Sequence, residues 1–213
     1  FDCDFPQYSL IQMRERDLKT VMQNEVLKKM AHKQFTTINK KAYPVFQSKA
    51  DTVLEELQTY VDNSEVAPDV VFLDLPGTVN TAGILSTLAN VHYIFSPITA
   101  DNVVLESTLS FTDVLTNVLM KKKHTEIKSI QLFWNQVDGR EKTPLYKNYS
   151  KVIKDLGLQL METSITDSKR FRKEGETVAK TVFRSTLLPA DRKLMMLCRL
   201  DQFMEEFLRI VKL

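Results

Sequence analysis

The chain opens Phe1-Asp2-Cys3-Asp4-Phe5-Pro6-Gln7. Asp2 and Asp4 stand two residues apart, the spacing that puts both side chains on the same side of an extended strand. Two carboxylates that close repel each other and stay ionised only beside a cation or within a hydrogen-bond network. Magnesium suits such a pair, because it is a hard cation held by carboxylates through water and by substrate phosphates. Cys3, between the acids, faces the other way and reads as a packing residue. The same seven residues read equally as a strand running into a turn at Pro6.

Two further acid- and amide-bearing segments follow apolar runs. Val70-Val71-Phe72-Leu73 ends in Asp74, then Leu75-Pro76-Gly77. A buried strand that delivers an acid at its C-terminal end is a Walker B arrangement, suited to a magnesium-bound water in low dielectric. The alternative is a turn cap. Ile130-Gln131-Leu132-Phe133-Trp134 ends in Asn135, then Asp138-Gly139-Arg140. A side-chain amide both donates and accepts, which suits a purine edge. Here the alternative is a tight turn. Asp74-x-x-Gly77 and Asn135-Gln136-Val137-Asp138 also approach the GTPase patterns, with Gln136 where the guanine signature has lysine.

Other reactive residue types point nowhere specific. His32, His92 and His124 lack ligand spacing, and there is no Cys-x-x-Cys. Lys121-Lys122-Lys123 reads as a solvated helix end that complements the dipole. Arg170, Arg172 and Lys173 read first as the same kind of solvated surface, and they are the better of the two candidates for nucleic-acid phosphates, with Arg192, Lys193 and Arg199 as further ones.

These residues need elements to position them. The runs at Val70–Leu73, Tyr93–Phe95, Ile130–Trp134 and Leu158–Met161 are unbroken apolar stretches, the pattern of parallel strands buried on both faces. Residues 42–46 form a weaker run whose Pro44 suits an edge. Helical periodicity fills the intervals. Residues 8–35 are charged and helix-prone, and Ser48 with Asp51 resembles a capping box before Val53. Residues 104–120 carry an apolar stripe, Thr143-Pro144 opens a helix that Gly157 closes, and a last helix starts near Asp191. The expected fold is α/β: a doubly wound, mostly parallel sheet with helices on both faces, in a single domain over residues 1–213. Ligands then gather at the C-terminal strand ends.

Bulk properties narrow the class. A net charge of +2 supports no global attraction to DNA, so nucleic-acid binding needs a local patch. Two cysteines without a pattern fit a reducing, cytoplasmic setting. No apolar run reaches membrane-span length, and the acids Glu205 and Glu206 in the last helix argue against a membrane-surface role. The five glycines cannot build a glycine-rich phosphate loop.

Asp-Cys-Asp-Phe-Pro-Gln, Val-Val-Phe-Leu-Asp-Leu-Pro-Gly and Phe-Trp-Asn-Gln-Val-Asp, in that order, resemble the ParA/MinD family of deviant Walker A ATPases. The closest look is to the ParA-type proteins of conjugative transposons and plasmids, from residue 1 to about residue 190. The resemblance implies ATP and Mg2+ as cofactors. Asp2 would lie in the outer magnesium shell, Asp4 would position the attacking water and Asp74 would hold a magnesium-bound water. Asn135 would meet the adenine and Thr166, within Ser164–Asp167, would close over it, although the family often has proline near this point. Gln7, Pro76 and Gly77 join the nucleotide-binding set. The family's phosphate loop would lie upstream of Phe1, making this chain an N-terminally incomplete P-loop fold, inactive as it stands. Implied partners are a second copy in the nucleotide-bound state, non-specific DNA and a ParB-like activating protein, with no membrane. The alternatives are a GTPase and a non-catalytic binding or structural fragment.

Overall fold

The computed structural model describes residues 1–77, 82–119, 125–142, 144–172, 185–189 and 191–213. The chain is mixed α/β, and its contacts sort into two compact units, Phe1–Thr87 with Arg184–Ala190, and Leu88–Phe183 with Asp191–Leu213.

In the first unit, three extended segments meet through parallel bridges that join Asp2 to Gln47 on one side and to Asp74 on the other. Asp2 N–H donates to Phe46 O (2.8 Å) and Ser48 N–H to Asp2 O (3.0 Å). On the other flank Asp74 N–H donates to Phe1 O (2.9 Å) and Cys3 N–H to Asp74 O (2.8 Å). The run before Asp74 is extended but not doubly buried as its composition predicts: Phe72 is 62% exposed and Val70 37%.

Helices α1 (Ser9–Gln23) and α2 (Glu25–Ile38) form a hairpin where one helix-prone stretch is predicted. The break is Asn24, whose side chain leaves the first helix to accept from Val26 N and Leu27 N of the second. α3 (Val53–Asp62) starts at Thr52 without a side-chain cap hydrogen bond, and Thr52 Oγ1 donates instead to Glu56 Oε1 (2.8 Å). The expected Ser48/Asp51 capping box is therefore not formed. Ser48 N–H is taken by the Asp2 bridge, and the backbone turns for four more residues before the helix begins. α4 (Ala82–Ala89) approaches the Asp51 turn closely: a Cβ on Gly83 would lie 2.7 Å from Asp51 Cβ.

The second unit holds a three-stranded parallel sheet in the order β1 (Tyr93–Ile98), β2 (Ser129–Trp134), β3 (Gln159–Leu160). α5 (Asn102–Val114), capped by the Asp101 side chain on Val103 N and Val104 N, links the first two strands and runs on as a π-helical turn over Leu115–Leu119. α6 (Leu145–Asp155) links the second and third, and Gly157 (φ 76) takes the left-handed position just past its end. On one face Ile98, Leu132 and Trp134 pack with Leu105 of α5 and Ile153 of α6. Ile98, Leu132 and Ile153 are fully buried, so trimming any of them to alanine costs about 2–5 kcal/mol. Trp134 Nε1 finds Ser150 Oγ at 2.9 Å, which satisfies its buried donor.

After the short α7 (Lys169–Arg172), α8 (Arg192–Cys198) and α9 (Leu200–Val211) divide the predicted terminal helix at Arg199, which sits at φ 59. α8 does start at Asp191, whose carboxylate accepts from Leu194 N (2.9 Å). α9 covers the other sheet face: Phe207 stacks on Phe95 (4.8 Å) and Phe203 on Phe133 (4.9 Å). The sheet of this unit is thus covered on both sides, as its unbroken apolar runs require. Among the described residues, no helix is long and apolar enough to cross a membrane.

Candidate functional site

Of the three acids singled out in the sequence, Asp2 and Asp74 meet on a parallel bridge of the first unit, with Asp4 two residues past Asp2, and the three are in different states. Asp2 is fully buried. Its Oδ2 accepts from Leu10 N (2.9 Å) and Ile11 N (3.1 Å), and its Oδ1 from Asp4 N (3.3 Å). It therefore caps α1 from outside the helix, where Tyr8 (φ 43) occupies the cap position with no side-chain bond of its own. An anion at a helix N-terminus meets orphan N–H donors and the positive end of the dipole, so this carboxylate is already satisfied.

Asp4 and Asp74 are the reverse. Both are partly exposed, and neither carboxylate makes a hydrogen bond or ion pair among the described residues. Burial raises the Asp74 carboxyl above its usual range, and the negative charges of Asp2 and Asp4 push it further the same way. The Asp74 carboxylate therefore carries its charge at a cost within the fold. No group of three acid, cysteine or histidine side chains is set to ligate a metal among the described residues.

The neighbouring residues have defined places. Cys3 is buried, and its thiol is pushed up to about 11, chiefly by burial. Pro6 follows a cis peptide bond, and Gln7 is exposed, its N–H bonded to Asp4 O (2.8 Å). Pro76 is partly buried and Gly77 exposed, with open space where a Cβ would project.

In the second unit the loops after β2 and β3 are stitched together. Val137 and Thr166 form a parallel bridge, with Val137 N–H on Ile165 O (3.0 Å) and Asp167 N–H on Val137 O (2.9 Å). Asn135 and Thr166, both given to the adenine by the family resemblance, thus stand on paired loops at the C-terminal ends of adjacent strands. Asn135 Oδ1 accepts from Gln136 N (2.9 Å), and Gln136 takes a left-handed conformation at φ 54. Asp138 is clasped by Arg140: Oδ1 accepts from Nε (3.1 Å) and Oδ2 from Nη2 (3.1 Å). That side-chain bond, with the Arg140 N–H, holds the Asp138 carboxyl below its usual range.

Arg170 gives Nη1 to Asp191 Oδ1 (3.0 Å), so part of the basic cluster is engaged within the fold. The Arg172 side chain, Lys173, Lys121–Lys123, His124 and Thr143 lie outside the described residues.

Two buried acids have roles the sequence reading missed. Asp17, 3% exposed, accepts from Thr186 N (2.6 Å), Thr186 Oγ1 (3.0 Å) and Ser185 Oγ (3.0 Å). It sits in the charged run Arg14–Asp17, which looks like a solvated face. Glu206 of α9 accepts from Glu162 N (2.7 Å) and Thr163 N (2.7 Å), just after β3. Burial opposes its charge, but those N–H groups, the Thr163 hydroxyl and Arg209 outweigh it and hold the carboxyl below its usual value. A signal for Glu206 was present: it stands three residues after Phe203 and one before Phe207, inside the apolar stripe.

No protein-family model matches this chain, and no curated protein sequence matches it.

Proposed function

We propose that this chain is a ParA-like, magnesium-dependent ATPase with a doubly wound P-loop fold, acting as a nucleotide-controlled dimerisation switch in the partitioning or transfer of DNA or a mobile element. The observation that carries the reading is the pair of uncommitted carboxylates, Asp4 and Asp74, on adjacent parallel segments, with the Asp74 carboxyl raised. A carboxyl raised in the fold, as that of Asp74 is, carries its charge at a cost to stability, and such a cost is usual where a ligand supplies the missing charge.

Asp74 is the residue that would hold magnesium through one of its waters. Once bound, the ion neutralises phosphate charge and orients the nucleotide. Asp4 would position the attacking water, and Asp2, which the family pattern gives to the outer magnesium shell, has its carboxylate committed to capping α1. By the family pattern, Asn135, on the loop paired with Thr166, would meet the adenine. Gln7, Pro76 and Gly77 complete the nucleotide set as the family pattern has it. DNA, a second copy, a ParB-like activator and a cytoplasmic setting follow from the same reading.

The guanine alternative is weaker on one observation: both Asp138 oxygens are held by Arg140, leaving that acid poorly placed to read a base.

The test is nucleotide binding and hydrolysis by the polypeptide its gene encodes. Asp4→Ala should keep magnesium-dependent ATP binding and lose hydrolysis by about 10²-fold or more. Asp74→Ala should weaken magnesium-dependent binding as well. Parent-rate hydrolysis by Asp4→Ala, or tighter binding of GTP than ATP, would overturn the reading.

A further inference from the structure

The α1–α2 hairpin carries an apolar, basic surface that the ATPase reading leaves unused. Met22, Val26, Met30 and Ile38 are 63%, 67%, 48% and 52% exposed. Val26, Met30, Lys33 and Thr37 repeat at spacings of three and four, so they form one stripe along α2. Beside the stripe, Met30, Lys33, Gln34, Thr37 and Ile38 line a hollow of about 340 Å³ with Pro189, a residue of the same unit. Exposed apolar side chains gathered along one helix beside a concavity mark an interaction site more than scattered ones do.

The charge along α2 and just past its end is one-sided. Residues 26–41 hold five lysines, at 28, 29, 33, 40 and 41, and no acid, in a chain whose net charge is only +2. The rest of the molecule is therefore net acidic. Lys28 is paired with Glu25 (2.7 Å), whereas Lys29, Lys33, Lys40 and Lys41 make no ion pair among the described residues.

We infer that the Val26–Ile38 face of α2 is a docking groove for an amphipathic helix with an apolar ridge and acidic flanks, presented by a partner protein. The ridge fills the hollow and covers Val26, Met30 and Ile38, and its acids meet Lys29 and Lys33. A second copy of this face is a poor occupant, because it brings the same lysines and like charges repel. A lipid surface is flat where the hollow is concave, and this stripe lacks the large aromatic and leucine side chains of interfacial helices. The inference does not depend on nucleotide chemistry.

The probe is a fluorescein-labelled helical peptide with leucines at helical spacing and glutamates on both flanks, followed by anisotropy with the intact chain. Binding should be saturable and should weaken with salt. Lys29→Glu with Lys33→Glu should reduce affinity about tenfold or more. A peptide with lysines in place of the glutamates should bind the double-reversal variant and not the parent, which also shows that the variant is folded. Met30→Gln with Ile38→Gln should abolish binding of the acidic peptide. The inference fails if the acidic peptide does not bind, if it binds the double-reversal variant equally, or if vesicles of anionic phosphatidylserine bind the chain through this face in its place.

Discussion

Asp2, Asp4 and Asp74 are chemically alike and energetically unlike. Asp2 is satisfied by the N-terminus of α1, whereas Asp4 and Asp74 face each other's charge without a partner among the described residues. Substitution should separate the structural acid from the candidate functional ones. Asp2→Ala removes a buried cap and leaves orphan N–H donors, at a cost of about 1–3 kcal/mol. Asp74→Asn should raise stability at neutral pH. The sign follows from the raised carboxyl: the fold disfavours the charged form, so the penalty is absent below the unfolded value of about 3.9 and grows as pH rises through the folded one. Urea midpoints at pH 7 and pH 3 measure both effects. A loss of stability in Asp74→Asn at pH 7 would mean that its carboxylate is structurally paired, and the cation-seeking reading would lose its support.

At the scale of elements, apolar runs were sound guides where a strand had neighbours on both sides. Ile130–Trp134 and Tyr93–Phe95 became β2 and β1, because α5 and α6 cover one sheet face and α9 the other. The identical logic overstated Val70–Leu73, since a run of four apolar residues does not say what will cover them. The break at Asn24 was readable as a capping residue within a helical stretch. The break at Arg199 was not, because neither glycine nor asparagine marks its positive φ. At the candidate site, residue type and spacing pointed to the acids, but no motif distinguishes the capping role of Asp2 from the open state of Asp4. Glu206 ties α9 to the segment after β3, and Glu206→Gln should destabilise the protein by about 1–3 kcal/mol at pH 7. Its carboxyl is lowered in the fold, so the contribution is present above the unfolded value of about 4.3 and is lost as pH falls through the folded one. Denaturation from pH 7 to pH 2.5 should therefore show a shallower acid limb in Glu206→Gln. Superimposable acid limbs would mean that the N–H bonds from 162 and 163 do not favour the ionised form.

The chain as a whole leaves its first unit after Thr87, builds most of the second, and sends 185–189 back to the first. Such a return cannot be read locally, since its contacts join residues nearly the whole chain apart. Asp17 binds Thr186 through backbone and hydroxyl, Arg14 reaches Thr186 Oγ1 (2.7 Å) and O (3.2 Å), and Gln34 Nε2 donates to Leu187 O (3.1 Å). Leu187 and Leu188 are buried by the same return. Closing so long a loop costs entropy that only well-satisfied contacts offset, and the buried Asp17 carboxylate is the centre of these. Asp17→Ala leaves the Thr186 N–H and two hydroxyls without their acceptor, so it should cost about 2–4 kcal/mol. The damage should begin locally. Hydrogen exchange at Leu187 and Leu188, whose N–H groups bond Ser185 Oγ at 3.0 and 3.1 Å, should quicken before exchange in β2 does. The hollow lined by Met30, Ile38 and Pro189 should open with it, weakening the acidic peptide without any change to a lysine. Equal acceleration at 187–188 and in β2 would show that the return segment unfolds only with the whole molecule, and that Asp17 acts on global stability alone.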